Sequence, residues 1–153
     1  MQDLILIRGM PGSGKTTLAE HIINSSGEQI AHHEADHFFN HVLSASDAGG
    51  PGKVEYLFNR RLLGAAHDLC YGNAFRSLSM GMSVIVSNSF TTRKEIERYS
   101  KGVYRSGLDV RLRVVKCVGE FQSVHGIPEA VLERMAGRWE HWDGETVVKP
   151  EDF

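Results

Sequence analysis

The stretch Leu4-Ile5-Leu6-Ile7-Arg8-Gly9-Met10-Pro11-Gly12-Ser13-Gly14-Lys15-Thr16-Thr17-Leu18-Ala19 decides the fold. Four consecutive apolar residues without helical periodicity, closed by a glycine, read as a strand buried on both faces. Leu18 and Ile22 then share one side of a helix running on through Ile23. Between them, Gly9 to Thr16 satisfies G-x-x-x-x-G-K-[ST] at every fixed position. Glycines let successive backbone N–H groups turn inward as an anion nest, and a helix starting at Lys15 aims the positive end of its dipole at the same point. The pattern predicts a phosphate cradle made of Gly9, Met10, Pro11, Gly12, Ser13, Gly14, Lys15, Thr16 and Thr17. Lys15 is expected to reach the β- and γ-phosphates of ATP or GTP, and Thr16 to hold Mg²⁺.

Outward from this unit the same order repeats. Gln29 to Glu34 reads as a second strand, and Asp36 as the N-cap or first-turn residue of a helix carrying Phe38 and Phe39. Ser44 to Lys53, with three glycines and a proline, reads as a flexible loop near the substrate entrance. From Val54 the apolar residues Leu57, Phe58, Leu62, Ala65, Ala66 and Leu69 predict one long helix toward Gly81, bent near Gly72-Asn73. Ser83 to Ser87 is a third buried strand, and Arg93 to Arg105 a helix with Ile96, Tyr99 and Val103 inward and Gly107 as its stop. Val110, Leu112 and Val114 alternate with Arg111 and Arg113 as a fourth strand, and Pro128 opens a last helix with Val131, Leu132 and Met135 inward. Alternating strands and helices imply a parallel sheet flanked by helices, joined by right-handed crossovers.

Composition bounds the function. At 153 residues the chain is expected to form one domain, and 41% hydrophobic against 24% charged residues argues against disorder. A formal net charge of −2 excludes the footprint of a non-specific nucleic-acid coat or a polybasic membrane binder. No apolar run approaches membrane-spanning length and no signal peptide is read at the start, so the expected location is the cytoplasm, or the host cytoplasm for a viral protein. Cys70 and Cys117, far apart and outside any C-x-x-C, read as buried free thiols.

His33-Glu34-Ala35-Asp36-His37 is a literal H-E-x-x-H, the zinc-protease pattern. Zinc requires both histidines one turn apart on a helix, whereas here the strand-to-helix break falls inside the pattern. Asp36 suits phosphoryl transfer better. Ligands of doubly wound sheets lie beyond the carboxyl ends of the strands, so Asp36 after the second strand and Gly9 after the first border one crevice. A carboxylate there can accept the proton of an acceptor hydroxyl.

The cradle, with Glu34-Ala35-Asp36-His37-Phe38-Phe39, Val84-Ile85-Val86-Ser87-Asn88-Ser89 and His125-Gly126-Ile127-Pro128-Glu129, resembles the small P-loop kinases grouped around the phage-type polynucleotide 5′-kinase domain. The resemblance spans nearly the whole chain. It implies a P-loop NTPase three-layer sandwich over residues 1–153, with about four to five parallel strands and a lid at about 119–128. It places the catalytic base on Asp36. Phe39 stands where the phage enzyme has a substrate-contacting arginine, and Asn88 where the family has an acidic residue, so both are assigned to the substrate side. Asn88 supplies no charge, which leaves Mg²⁺ to Thr16 and the nucleotide phosphates. Gln122 and Ser123 occupy the lid in place of arginine. Arg134 and Arg138, at i and i+4 on the last helix, are then the candidates to neutralise the transferring group.

The expected activity is transfer of the γ-phosphate of ATP to a hydroxyl on a polynucleotide end, a nucleoside or a hydroxymethylated base, with DNA or RNA as a partner. Lys94, Arg98, Lys101 and Arg105 line one stripe that could follow a nucleic-acid backbone. The alternatives are a small-metabolite kinase with the same cradle and aspartate, as in antibiotic-, sugar- or gluconate-phosphorylating relatives and zeta-toxin-like enzymes, and a nucleotide-binding switch that transfers little.

Overall fold

In a computed structural model that describes residues 1–43, 52–120 and 126–152, the first strand, β1 (Gln2–Arg8), runs into α1 (Lys15–Ser26) through the glycine-rich loop. Next come β2 (Ile30–His33), a single 3₁₀ turn at Ala35–Phe39, and the strands β3 (Asn40–Leu43) and β4 (Lys53–Tyr56). The chain continues as α2 (Leu63–Ser79), β5 (Ser83–Ser87), α3 (Arg93–Ser106), β6 (Val110–Cys117), α4 (Glu129–Gly137) and β7 (Thr146–Val148). Five strands pair in the order β2-β5-β1-β6-β7, and every pairing is parallel.

The register sorts side chains by the two-residue period of a strand. Leu4 pairs with Val84 and Leu112, Ile5 with Ile85 and Arg113, Leu6 with Val86 and Val114. Leu4, Leu6, Val84, Val86 and Val114 therefore face one side, where Ala66, Cys70, Ala74 and Leu78 of α2 and Ile96 and Tyr99 of α3 complete the larger core. Ile5, Ile7, Ile85 and Cys117 face the other side and pack on Leu18 and Ala19 of α1. Helices on both faces of a parallel sheet make the three-layer sandwich expected from the sequence. No helix among the described residues is long and apolar enough to cross a membrane.

Three sequence expectations change. The helix carrying Phe38 and Phe39 is only the 3₁₀ turn, and Asp36 lies in its first turn while Glu34 occupies the N-cap position. The helix expected from Val54 begins at Leu63, because the Lys53–Tyr56 segment returns as a strand antiparallel to β3, with Asn40 opposite Tyr56. Asn59 Oδ1 then accepts the Arg61 N–H at 3.0 Å and starts a second 3₁₀ turn, Arg60–Leu62, which leads into α2. That helix runs unbroken through Gly72-Asn73. Of the loop expected over Ser44 to Lys53, residues 44–51 lie outside the described residues.

Arg8, the last residue of β1, is fully buried. Its guanidinium donates to the carbonyl of Phe90 at 3.0 Å from Nε and 2.6 Å from Nη2, and to Glu140 O at 2.8 Å. Nη1 donates to Glu145 Oε2 at 2.9 Å, and the plane lies 4.1 Å from the Trp139 ring centroid. A buried guanidinium is tolerated when its five donors are met by acceptors. Here they gather the loop after β5 and the segment between α4 and β7 against the start of the glycine-rich loop. Arg8→Ala is expected to destabilise the fold by about 3–5 kcal/mol, the usual cost of orphaning one side of a buried ion pair. Urea unfolding measures it, and a loss below about 1 kcal/mol would contradict the role given to Arg8.

Candidate active site

The glycine-rich loop leaves β1 at Gly9, where any side chain would collide. A Cβ there would overlap Ser13 Oγ and come within 2.9 Å of the Cys117 carbonyl. Gly12 (φ 80°) and Gly14 (φ 98°) adopt left-handed backbone that other residues resist. The turn closes through Ser13 N–H to Met10 O at 3.0 Å, and Gly14 O accepts the Leu18 N–H at 2.9 Å in the first turn of α1. Two neighbours hold the loop from outside. Gly9 N–H donates to Ser89 O at 3.3 Å, and Gly119 N–H to Ser13 O at 3.0 Å.

No side chain caps the N-terminus of α1, and its first turn holds no acidic residue. Ser13 is 2% exposed, and its Oγ has no hydrogen-bond partner among the described residues. A buried unpaired hydroxyl beside an uncapped helix start is a set of donors lacking acceptors, which suits the oxygens of a polyphosphate. Lys15 Nζ folds back onto Gly9 O and Met10 O at 3.0 and 3.1 Å. Burial pulls its pKa down, while the negative charges of Asp36 and Glu34 draw it back up.

Glu34, just past β2, was not singled out by the sequence. Its Oε2 accepts from Ser87 Oγ at 3.0 Å and from Thr16 Oγ1 at 3.3 Å, and its Oε1 meets His37 Nε2 at 3.1 Å. Burial pushes the Glu34 carboxyl up, but His37, His32 and Ser87 together hold it below the usual glutamate value. His33 Nε2 meets Ser77 Oγ at 2.9 Å on α2, so the two histidines of the H-E-x-x-H pattern serve different partners. No group of three or more His, Cys, Asp or Glu side chains among the described residues is arranged to hold a metal ion.

Asp36 follows in the 3₁₀ turn, and its Oδ1 accepts the Tyr56 hydroxyl at 2.8 Å. The turn is pinned to β5 by Ala35 N–H donating to Asn88 Oδ1 at 2.8 Å. That bond engages within the protein the amide of Asn88, which the sequence assigned to the substrate side. Asn88 is buried, its Nδ2 points to Cys70 Sγ at 3.7 Å, and both ends of its amide are used within the protein. Phe39 is likewise buried, beneath Tyr56 and Phe58, and offers no surface to an acceptor. Arg138, at the C-cap of α4, donates from Nε to Thr91 Oγ1 at 3.1 Å, while Arg134 lies exposed on α4. Neither bonds to the glycine-rich loop among the described residues. The lid residues Gln122, Ser123 and His125 lie outside the described residues.

A five-stranded parallel sheet between helix layers, with a phosphate-type loop after its central strand, defines a fold of the P-loop kinase type. The chain belongs to the chloramphenicol phosphotransferase-like protein family, whose model matches residues 2–146. Solved structures share the fold. A sugar kinase from Janibacter sp. HTCC2649 is similar with a TM-score of 0.62 at 18% identity, over 97% of this chain and 86% of that one. Kti12 from Chaetomium thermophilum, in complex with ADP-AlF3, gives 0.63 at 17% identity over 98% and 90%. A gluconokinase from Sinorhizobium meliloti 1021 gives 0.58 at 16% identity over 96% and 82%. At such identities the likeness is one of fold.

The Glu34–His37 pair makes stability depend on pH. The Glu34 hydrogen bond raises the His37 pKa despite its partial burial. A group with a raised folded-state pKa adds stability below its unfolded value, near 6.5, and loses it as pH rises through the folded value. Melting scans of wild type and His37→Ala should therefore differ most just below pH ~6.5 and converge as the pH climbs. A gap that widens toward alkaline pH would contradict the pairing.

Proposed function

We propose that the protein is an ATP-dependent kinase that moves the γ-phosphate to a hydroxyl of a small molecule. The observation that carries this reading is the uncapped start of α1 after the glycine-rich loop, with the unpartnered Ser13 hydroxyl, and Glu34, two residues before Asp36, bonded to Thr16 at 3.3 Å. Gly9 to Thr17 would hold the phosphates of ATP or GTP, through backbone N–H groups and the Lys15 ammonium. Thr16 would hold Mg²⁺ with Glu34 behind it; when bound, the ion screens charge on the β- and γ-phosphates.

Asp36 takes the proton from the acceptor hydroxyl as the oxygen–phosphorus bond forms and the bond from the γ-phosphorus to the bridging oxygen breaks, releasing ADP. Lys15 leaves the Gly9 and Met10 carbonyls for the phosphate oxygens, where its charge is better matched. Of the arginines on α4, Arg134 is the candidate to neutralise the transferring group, because Arg138 is engaged with Thr91.

The acceptor is taken as a small molecule rather than the polynucleotide end expected from the sequence. The family name refers to chloramphenicol, and the names of two fold relatives refer to sugar and gluconate kinases. Within the basic stripe, Arg98 is paired with Asp68 at 2.9 Å and lies over Tyr71 at 4.4 Å, which gives it a structural partner in place of a phosphate backbone.

Incubation with γ-labelled ATP, Mg²⁺ and separate pools of chloramphenicol, gluconate, hexoses, nucleosides and DNA ends tests the reading. Label is expected in one small-molecule pool. Label confined to DNA ends would overturn the acceptor class.

Two variants separate binding from chemistry. Lys15→Ala should abolish most of the rise in Tm that magnesium ATP produces by mass action, and an undiminished rise would remove the cradle assignment. Asp36→Asn should keep that rise yet slow transfer by ~10²–10⁴-fold, and full activity would leave Asp36 only a structural part.

A further inference from the structure

We propose that Tyr56 is a positioning residue, whose hydroxyl fixes the orientation of the Asp36 carboxylate toward the acceptor; this rests on the reading of Asp36 as the base. A carboxylate turns easily about its last side-chain torsion, which has broad wells, so a base at a turn needs an external clamp to aim one oxygen. Tyr56 Oη donates to Asp36 Oδ1 at 2.8 Å. A hydrogen bond to an ionised group is roughly twice as strong as a neutral one, so the phenol holds Oδ1 in a fixed direction.

The antiparallel pair β3–β4 delivers that hydroxyl. Asn40, directly after the turn bearing Asp36, lies opposite Tyr56, and Leu57 N–H donates to Phe39 O at 2.8 Å. The Tyr56 ring is held edge-on by Phe39, with centroids 5.9 Å apart, and in near-parallel stacking by Phe58 at 6.4 Å. From the other side, Asn88 Oδ1 holds the Ala35 N–H. Asp36 is therefore fixed through its backbone from β5 and through its side chain from β4. Partial burial and the Asp36 carboxylate both raise the Tyr56 pKa, so the phenol stays a protonated donor over the working pH range.

The test is a double-mutant cycle on Tyr56→Phe and Asp36→Asn, with magnesium ATP and the acceptors above, water included. Phenylalanine keeps both ring contacts and removes only the hydroxyl. Tyr56→Phe should lower kcat by roughly tenfold to a hundredfold, the worth of a hydrogen bond to a charged group, with the KM for ATP unchanged. In the Asp36→Asn background the same change should add nothing. Wild-type kcat in Tyr56→Phe, or an equal further loss on top of Asp36→Asn, would overturn the positioning role while leaving the base reading intact. Full activity in Asp36→Asn, or no transfer by wild type to any acceptor, would overturn the base reading and Tyr56's role with it.

Discussion

The buried guanidinium of Arg8 is the constraint on which the arrangement of the site depends. It is the residue immediately before Gly9, so whatever fixes it fixes the mouth of the glycine-rich loop. Its acceptors come from two distant parts of the chain, the carbonyl of Phe90 after β5 and Glu140 with Glu145 before β7. Phe90 has φ 45°, an unfavourable backbone for a bulky residue, and two guanidinium bonds to its carbonyl help hold it there. The segment thus held includes Ser89, whose carbonyl accepts the Gly9 N–H, and Asn88, whose amide holds the turn of Asp36. One buried charge therefore couples the glycine-rich loop to the turn that bears Asp36.

The second organising element is the Glu34 carboxylate. Neither Ser87, the last residue of β5, nor Asn88 after it is a carboxylate, and Glu34, just past β2, accepts from both Ser87 and Thr16. Glu34 and Asp36 are two residues apart but have different surroundings. Glu34 is hemmed by hydroxyls and imidazoles that keep it ionised, while Asp36 is held by a phenol at the edge of the hairpin. On the proposed reading, that division leaves one acid with the threonine of the loop and the other for the acceptor hydroxyl.

The sequence made the loop, the main layers and Asp36 legible because each rests on local rules. Glycine was needed where φ is left-handed, at Gly12 and Gly14, and the apolar runs Leu4 to Ile7 and Val84 to Val86 marked strands covered on both faces. The hairpin was hidden because Val54, Leu57 and Phe58 continue the spacing of α2 backward by coincidence, while the short strand Lys53–Tyr56 is mostly exposed and carries no burial signal. β7 is three residues long, below the length at which alternation can be read. Glu34 was given no role of its own, since its bonds to Thr16 and Ser87 cross 18 and 53 residues. Asn88 and Phe39 sat at the right topological position for substrate, but their burial follows from tertiary packing by Cys70, Tyr56 and Phe58, which no local pattern encodes.

The central claim is that one crevice holds both the phosphate loop and the base that serves the acceptor. A crystal structure of the protein grown with ADP, Mg²⁺ and aluminium fluoride tests it most directly. The account predicts the phosphates within the Gly9–Thr16 loop, Lys15 Nζ drawn off the Gly9 and Met10 carbonyls onto them, and the Asp36 carboxylate facing the fluoride on its far side from ADP. A nucleotide bound elsewhere, or a fluoride whose far side faces no carboxylate, would contradict it.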